Sequence, residues 1–123
     1  MKRIYLADAQ PDERSALRLM LEHLNLKIVG EAGDWPSTLA MAPATYPDMV
    51  LVDWGLVSHE SGNALTELRM ACQSAVVIIL LSHLDAHDPA AISLGADLFI
   101  NKGEPSDRVA ERLQNAANSI VAG

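Results

Sequence analysis

The sequence predicts a single α/β domain spanning residues 1–123, a five-stranded parallel sheet with helices on both faces. Three observations predict it. Short β-type runs alternate with helical segments five times along the chain. The run from Ala75 to Leu81 is apolar without alternation, as a strand buried on both faces requires. A length of 123 residues, half of them apolar, matches one ordinary domain that buries its core without disulfides or a structural metal. Strict strand–helix alternation implies parallel strands joined by right-handed crossovers.

The elements follow in order. Ile4 to Ala7 forms a first strand ending at Asp8. Pro11 suits the first position of a helix, where its missing N–H is no loss. Leu17, Met20, Leu21 and Leu24 then recur on one helical face. Lys27 to Glu31 is a short second strand, and Asp34 to about Ala42 a weaker helix that Pro43 stops. Pro47-Asp48 leads into a third strand, Met49 to Val52, which ends at Asp53; a loop runs on through Gly62. Leu65, Leu68 and Cys72 mark the inner face of a third helix before the fourth strand. A short helix over Pro89 to Leu94 closes at Gly95, a plausible C′ glycine. Leu98 to Ile100 is the fifth strand, closing at Asn101-Lys102, and Pro105 opens a last helix with Val109, Leu113, Ala116 and Ile120 inward.

Composition excludes several functions. Nine basic residues face 16 acidic ones, a formal charge of −7, which disfavours nucleic acid and an anionic membrane as direct partners. Five aromatic residues are too few for a base-stacking platform. The single cysteine, Cys72, rules out an internal disulfide and is expected to be a buried helix residue. No apolar run is long enough to span a bilayer, and Met1-Lys2-Arg3 opens no signal peptide, so a cytoplasmic location is expected.

In an open parallel sheet the ligand site lies beyond the carboxyl ends of the strands. Asp8 ends strand 1, Asp53 strand 3, Ser82 strand 4 and Lys102 strand 5. A carboxylate can act as a nucleophile and form an aspartyl phosphate. An ammonium, a hydroxyl and a Mg²⁺ ion on carboxylates would position and neutralise the phosphoryl group. Each residue alone is also an ordinary turn, cap or surface residue; their convergence on one edge is what carries weight.

The motifs Ala7-Asp8-Ala9-Gln10-Pro11, Pro47-Asp48-Met49-Val50-Leu51-Val52-Asp53, Leu81-Ser82 and Gly95-Ala96-Asp97-Leu98-Phe99-Ile100-Asn101-Lys102 stand in order along the whole chain. Together they resemble the two-component response-regulator receiver domain family. The resemblance implies a flavodoxin-like (βα)5 fold with strand order 2-1-3-4-5. It implies that Asp53 is the phosphoacceptor and Lys102 the phosphate-binding lysine. Ser82 and Phe99 match the switch hydroxyl and the strand-5 aromatic that moves with it. Asp8, Asp53 and the Gly55 carbonyl would hold Mg²⁺. The phosphoryl donor would be a sensor histidine kinase or phosphotransfer protein. Such a chain is a signalling domain, not an enzyme acting on other molecules. A homodimer would have to use residues beside the apolar stripes of the first and last helices.

Three departures from the family pattern stand out. Ala9 replaces the second acid of the usual pair, a metal contact, so Asp8, Asp53 and Lys102 give a formal charge of −1 where the usual set gives −2. Asp12, an early helix residue, is not expected to reach the metal. Val57 replaces a common proline, and the loop from Gly55 to Ser61 is about one residue longer than the family's common form. Gly103 follows Lys102 in place of the frequent proline. Ala9 motivates a rival reading, a degenerate receiver that binds partners regardless of phosphorylation. A third reading, a nucleotide or flavin domain on the same fold, meets no glycine-rich phosphate loop. His83 and His87 lie i, i+4 apart beside Asp85 and Asp88, but a solvated loop explains them better than a metal site. Trp54 is expected beside the pocket, and Trp35 is expected to pack.

Overall fold

The apolar runs pair as five parallel strands, β1 (Arg3–Ala7), β2 (Lys27–Ala32), β3 (Met49–Asp53), β4 (Val76–Leu81) and β5 (Leu98–Asn101). Their order is β2-β1-β3-β4-β5, as the resemblance implies. The computed structural model describes residues 1–58, 60, 63–82 and 96–120. The predicted helix Pro89 to Leu94, Gly95, the His83/His87 group, His59 and Gly62 lie outside them.

Side chains alternate across the sheet, so each strand feeds two cores. Tyr5, Ala7, Val50, Val52, Val77, Ile79 and Leu81 face one layer, closed by α2 (Trp35–Met41), a one-turn α3 (Trp54–Val57) and α4 (Ala64–Ala71). Ile4, Leu6, Met49, Leu51, Ile78, Leu80 and Ile100 face the other, closed by Leu17 and Leu21 of α1 (Pro11–His23) and Val109 and Leu113 of α5 (Ser106–Asn118). Each fully buried aliphatic side chain contributes roughly 1.5–3 kcal/mol. β3 is buried along its whole length because it sits mid-sheet between both layers. Trp35 and Cys72 belong to the first layer, and burial raises the Cys72 thiol pKa.

Local chemistry sets the boundaries. Asp34 caps α2 by accepting a hydrogen bond from Ser37 N–H at 2.8 Å. The α-helix closes at Met41, and Pro43–Thr45 continue as a 3-10 turn rather than as a plain stop. β2 and β1 slip register between Ile4 and Tyr5, opposite Gly30. A Cβ on Gly30 would stand 2.6 Å from the Tyr5 ring, so the missing side chain is what admits that ring.

The sequence reads a loop directly after Asp53, but the chain turns helical there at once. Asp53 itself caps α3, and Leu56 and Val57 turn inward to the core. Val57 therefore occupies a packing position.

Candidate functional site

Asp8, Asp53 and Lys102 meet at the carboxyl edge of the sheet, as expected from their strand ends. Asp8 leaves β1 with its N–H on the Ala32 carbonyl, so it is anchored as if the β1–β2 ladder ran one residue further. Its side chain is fully buried. Oδ1 accepts the Gln10 N–H at 2.9 Å, an Asx turn into α1. Oδ2 is buried without a hydrogen-bond partner, its ionic neighbour being Lys102 Nζ at 3.9 Å. Burial disfavours the charged form, and the Asp53 carboxylate adds repulsion; against the Gln10 N–H and Lys102, these push the Asp8 carboxyl up to about 6.

Asp53 ends β3 and exposes a small part of its side chain, 13%, at the pocket mouth. Oδ2 accepts the Gly55 N–H at 2.9 Å. A Cβ on Gly55 would lie 2.8 Å from that same oxygen, so glycine is what lets the backbone come this close. Oδ1 accepts a hydrogen bond from Lys102 Nζ.

Lys102 is placed by its own N–H, which donates to the Leu81 carbonyl at 2.8 Å and extends the β4–β5 ladder past Asn101. Gly103 N–H closes an Asx turn on Asn101 Oδ1 at 2.8 Å. A proline has no N–H for this bond, which gives a local reason for a residue other than proline here. Burial works against the Lys102 ammonium, but hydrogen bonds to Asp53 and Glu13 outweigh it and raise its pKa.

Glu13 is the residue that sequence reasoning missed. It lies in the first turn of α1, and its Oε2 accepts from Lys102 Nζ at 2.7 Å. That bond holds the Glu13 carboxyl below its ordinary pKa. Glu13 and not Asp12 joins the cluster: among the described residues, oxygens of Asp8, Glu13 and Asp53 lie within 4.8 Å of one another. A signal was available, since Glu13 precedes Leu17 by four residues and so continues the inward stripe of α1 toward the strand ends.

The donor set fits a hard divalent cation. All three side chains offer oxygen, and Asp8 presents a buried oxygen that no protein donor satisfies. Ser82 directly follows β4 and is half-buried. Phe99, paired in register with Ile79, packs half-buried against the first core layer. Trp54 adjoins Asp53 and is buried in that layer.

The fold and this edge define a doubly wound, flavodoxin-like α/β domain with an acid-rich pocket at the carboxyl ends of its strands. The family model for the response regulator receiver domain matches residues 4–114. The nitrate/nitrite response regulator protein NarL of Escherichia coli K12 is 26% identical over 121 residues, covering 96% of this chain and 56% of that protein. The isolated receiver domain of RcsB from Salmonella enterica serovar Typhimurium, solved with phosphomimetic BeF3−, superposes with a TM-score of 0.80 at 16% identity, covering 96% and 89% of the two chains. The receiver domain of sensor histidine kinase PA1611 from Pseudomonas aeruginosa PAO1, solved with a magnesium ion in its active-site cleft, gives 0.76 at 19% identity and covers 96% and 98%. The chain belongs to the response regulator receiver domain family, the signalling domains of two-component systems. It spans 56% of the length of the NarL relative. No described helix is long and apolar enough to cross a membrane.

Proposed function

We propose that residues 1–123 form a cytoplasmic receiver unit that takes a phosphoryl group on Asp53 from a phosphohistidine of a sensor kinase or phosphotransfer protein. The observation that carries this reading is the contact of the largely buried Asp53 carboxylate with Lys102 Nζ. One Asp53 oxygen attacks phosphorus; the O–P bond forms, the P–N bond breaks, and the imidazole leaves and takes up a proton from water. Lys102, already beside Asp53, pairs with the phosphoryl oxygens, and the Ser82 hydroxyl donates to one of them. Asp8, Asp53 and the Gly55 carbonyl would hold Mg²⁺, which would supply charge neutralisation for the transferred group. Loss of the phosphoryl group to water occurs on the same residues. The new charge draws Ser82 inward, Phe99 follows, and the β5 side of the domain changes its affinity for partners or a second copy by population shift.

Acetyl phosphate with Mg²⁺ tests this by intact mass. A gain of one phosphoryl group that Asp53→Asn abolishes is the expected result; no gain at millimolar Mg²⁺, or a gain that survives Asp53→Asn, refutes it. Ala9 favours the second reading, a degenerate receiver. It predicts no gain in the natural chain but a gain in Ala9→Asp.

A further inference from the structure

We propose that Glu13 is the third carboxylate of the divalent-cation site, replacing from α1 the acid that Ala9 removes from the end of β1. The inference rests on the receiver reading above and deepens it. Its first support is position. A Glu13 oxygen lies within 4.8 Å of oxygens on Asp8 and Asp53, although Glu13 belongs to a helix and not to a strand end. Its second support is the state of one oxygen: Asp8 Oδ2 is fully buried in the same pocket with no hydrogen-bond partner, Lys102 Nζ standing 3.9 Å away, and a bound cation would satisfy it.

Charge makes the same point. Asp8, Asp53 and Lys102 sum to −1, and Glu13 brings the pocket to −2, the charge that one divalent cation cancels. The helix turn carrying Glu13 is also fixed in place. Arg14 Nη1 donates to the Asp8 carbonyl at 2.7 Å, while Arg14 and Arg18 both pair with Glu31 on β2. These contacts tie the first turn of α1 to the ends of β1 and β2. An acid in the first turn of a helix is favoured by the helix dipole anyway. Asp12 serves that purpose equally and stays out of the cluster. The dipole does not account for Glu13 reaching Lys102, 89 residues away.

Isothermal titration with Mg²⁺ and with Mn²⁺ tests the assignment without any phosphoryl transfer. Four proteins are compared: the natural chain, Glu13→Gln, Ala9→Asp, and the double variant. The Glu13 side chain is 44% exposed, so Glu13→Gln leaves the fold intact, which a thermal melt checks. Glu13→Gln is expected to weaken binding about tenfold or more, the effect of removing one full charge about 4 Å from a divalent ion. Ala9→Asp in the Glu13→Gln background is expected to restore most of it. Unchanged or tighter binding in Glu13→Gln overturns the proposal and makes Glu13 only a clamp on Lys102, leaving the receiver reading standing. Binding by Ala9→Asp but not by the natural chain also overturns it. Absence of binding in all four overturns both this assignment and the Mg²⁺-dependent reading.

Discussion

At the amino edge of the sheet, Asp48 Oδ2 accepts the Arg3 N–H at 2.8 Å, and the Arg3 guanidinium is held by the Thr45 and Tyr46 carbonyls. Asp97 accepts the Val77 N–H at 2.8 Å and pairs with Arg69 at 2.9 Å. At the carboxyl edge, three carboxylates share one lysine, and one buried oxygen has no hydrogen bond. The same residue type therefore does opposite things at the two ends of the same strands. At the amino edge an aspartate closes backbone donors and stabilises. At the carboxyl edge charge is packed beyond what the protein neutralises, so folding holds a poorly solvated anion there.

Removing one aspartate from each edge should have opposite effects on stability. The Asp8 carboxyl is raised to about 6 in the fold from an ordinary 3.8. Its contribution to stability is thus fully present below about pH 4 and lost as pH rises through 6. Above that, keeping Asp8 ionised costs up to roughly 3 kcal/mol. Asp8→Asn should stabilise the cation-free protein by up to that amount at pH 8, with the gain fading below about pH 4. Urea unfolding at the two pH values measures it; equal gains at both would refute the assignment. Asp48→Ala should do the reverse, destabilising by about 2 kcal/mol at pH 8 because the Arg3 N–H loses a charged acceptor.

Gly55 lies against Asp53, the proposed phosphoacceptor. Gly55→Ala places a Cβ 2.8 Å from Asp53 Oδ2, and the carboxylate must swing away. Phosphorylation by acetyl phosphate should slow by about tenfold, since small misplacements of a nucleophile are costly. The unfolding midpoint should move by no more than about 1 kcal/mol equivalent, because Gly55 is exposed and has no positive-φ requirement. An unchanged rate would show that the carboxylate has room on its other side.

Strand identity, sheet order and both core faces were legible because each follows from an apolar period, and period survives any detail of packing. Asp8, Asp53 and Lys102 were legible for a related reason: in a parallel sheet, strand ends converge whatever the helices do. Glu13 was not read because a helix turns about 100° per residue, so reaching the site rather than solvent depends on how α1 is rotated. The Leu17 and Leu21 stripe gives that rotation, and Glu13 continues it; what the stripe does not give is the hold of Arg14 on the Asp8 carbonyl and of the Glu31 pairs, contacts between elements that fix this helix against the strand ends. The helical turn after Asp53 was missed because one turn of four residues is too short for a period to register.

The smallest expected effect concerns Gly103, where the chain leaves β5 between the two behaviours. Its N–H is committed to Asn101 Oδ1, as backbone donors are at the amino edge, yet its neighbour Lys102 serves the pocket. Gly103→Pro deletes that donor and disfavours helical geometry at Lys102. A loss of about 1 kcal/mol follows if the exposed turn is held by this bond. Asn101→Ala removes the acceptor and should cost a similar amount, and the double variant should cost no more than either alone. The Lys102 N–H to the Leu81 carbonyl is untouched by all three, so Lys102 should keep its reach to Asp53 and phosphorylation should stay within about twofold. Additive losses in the cycle would mean that the Asn101–Gly103 bond does not hold the turn. A large loss of phosphorylation would mean that the turn itself, rather than the ladder, aims the lysine.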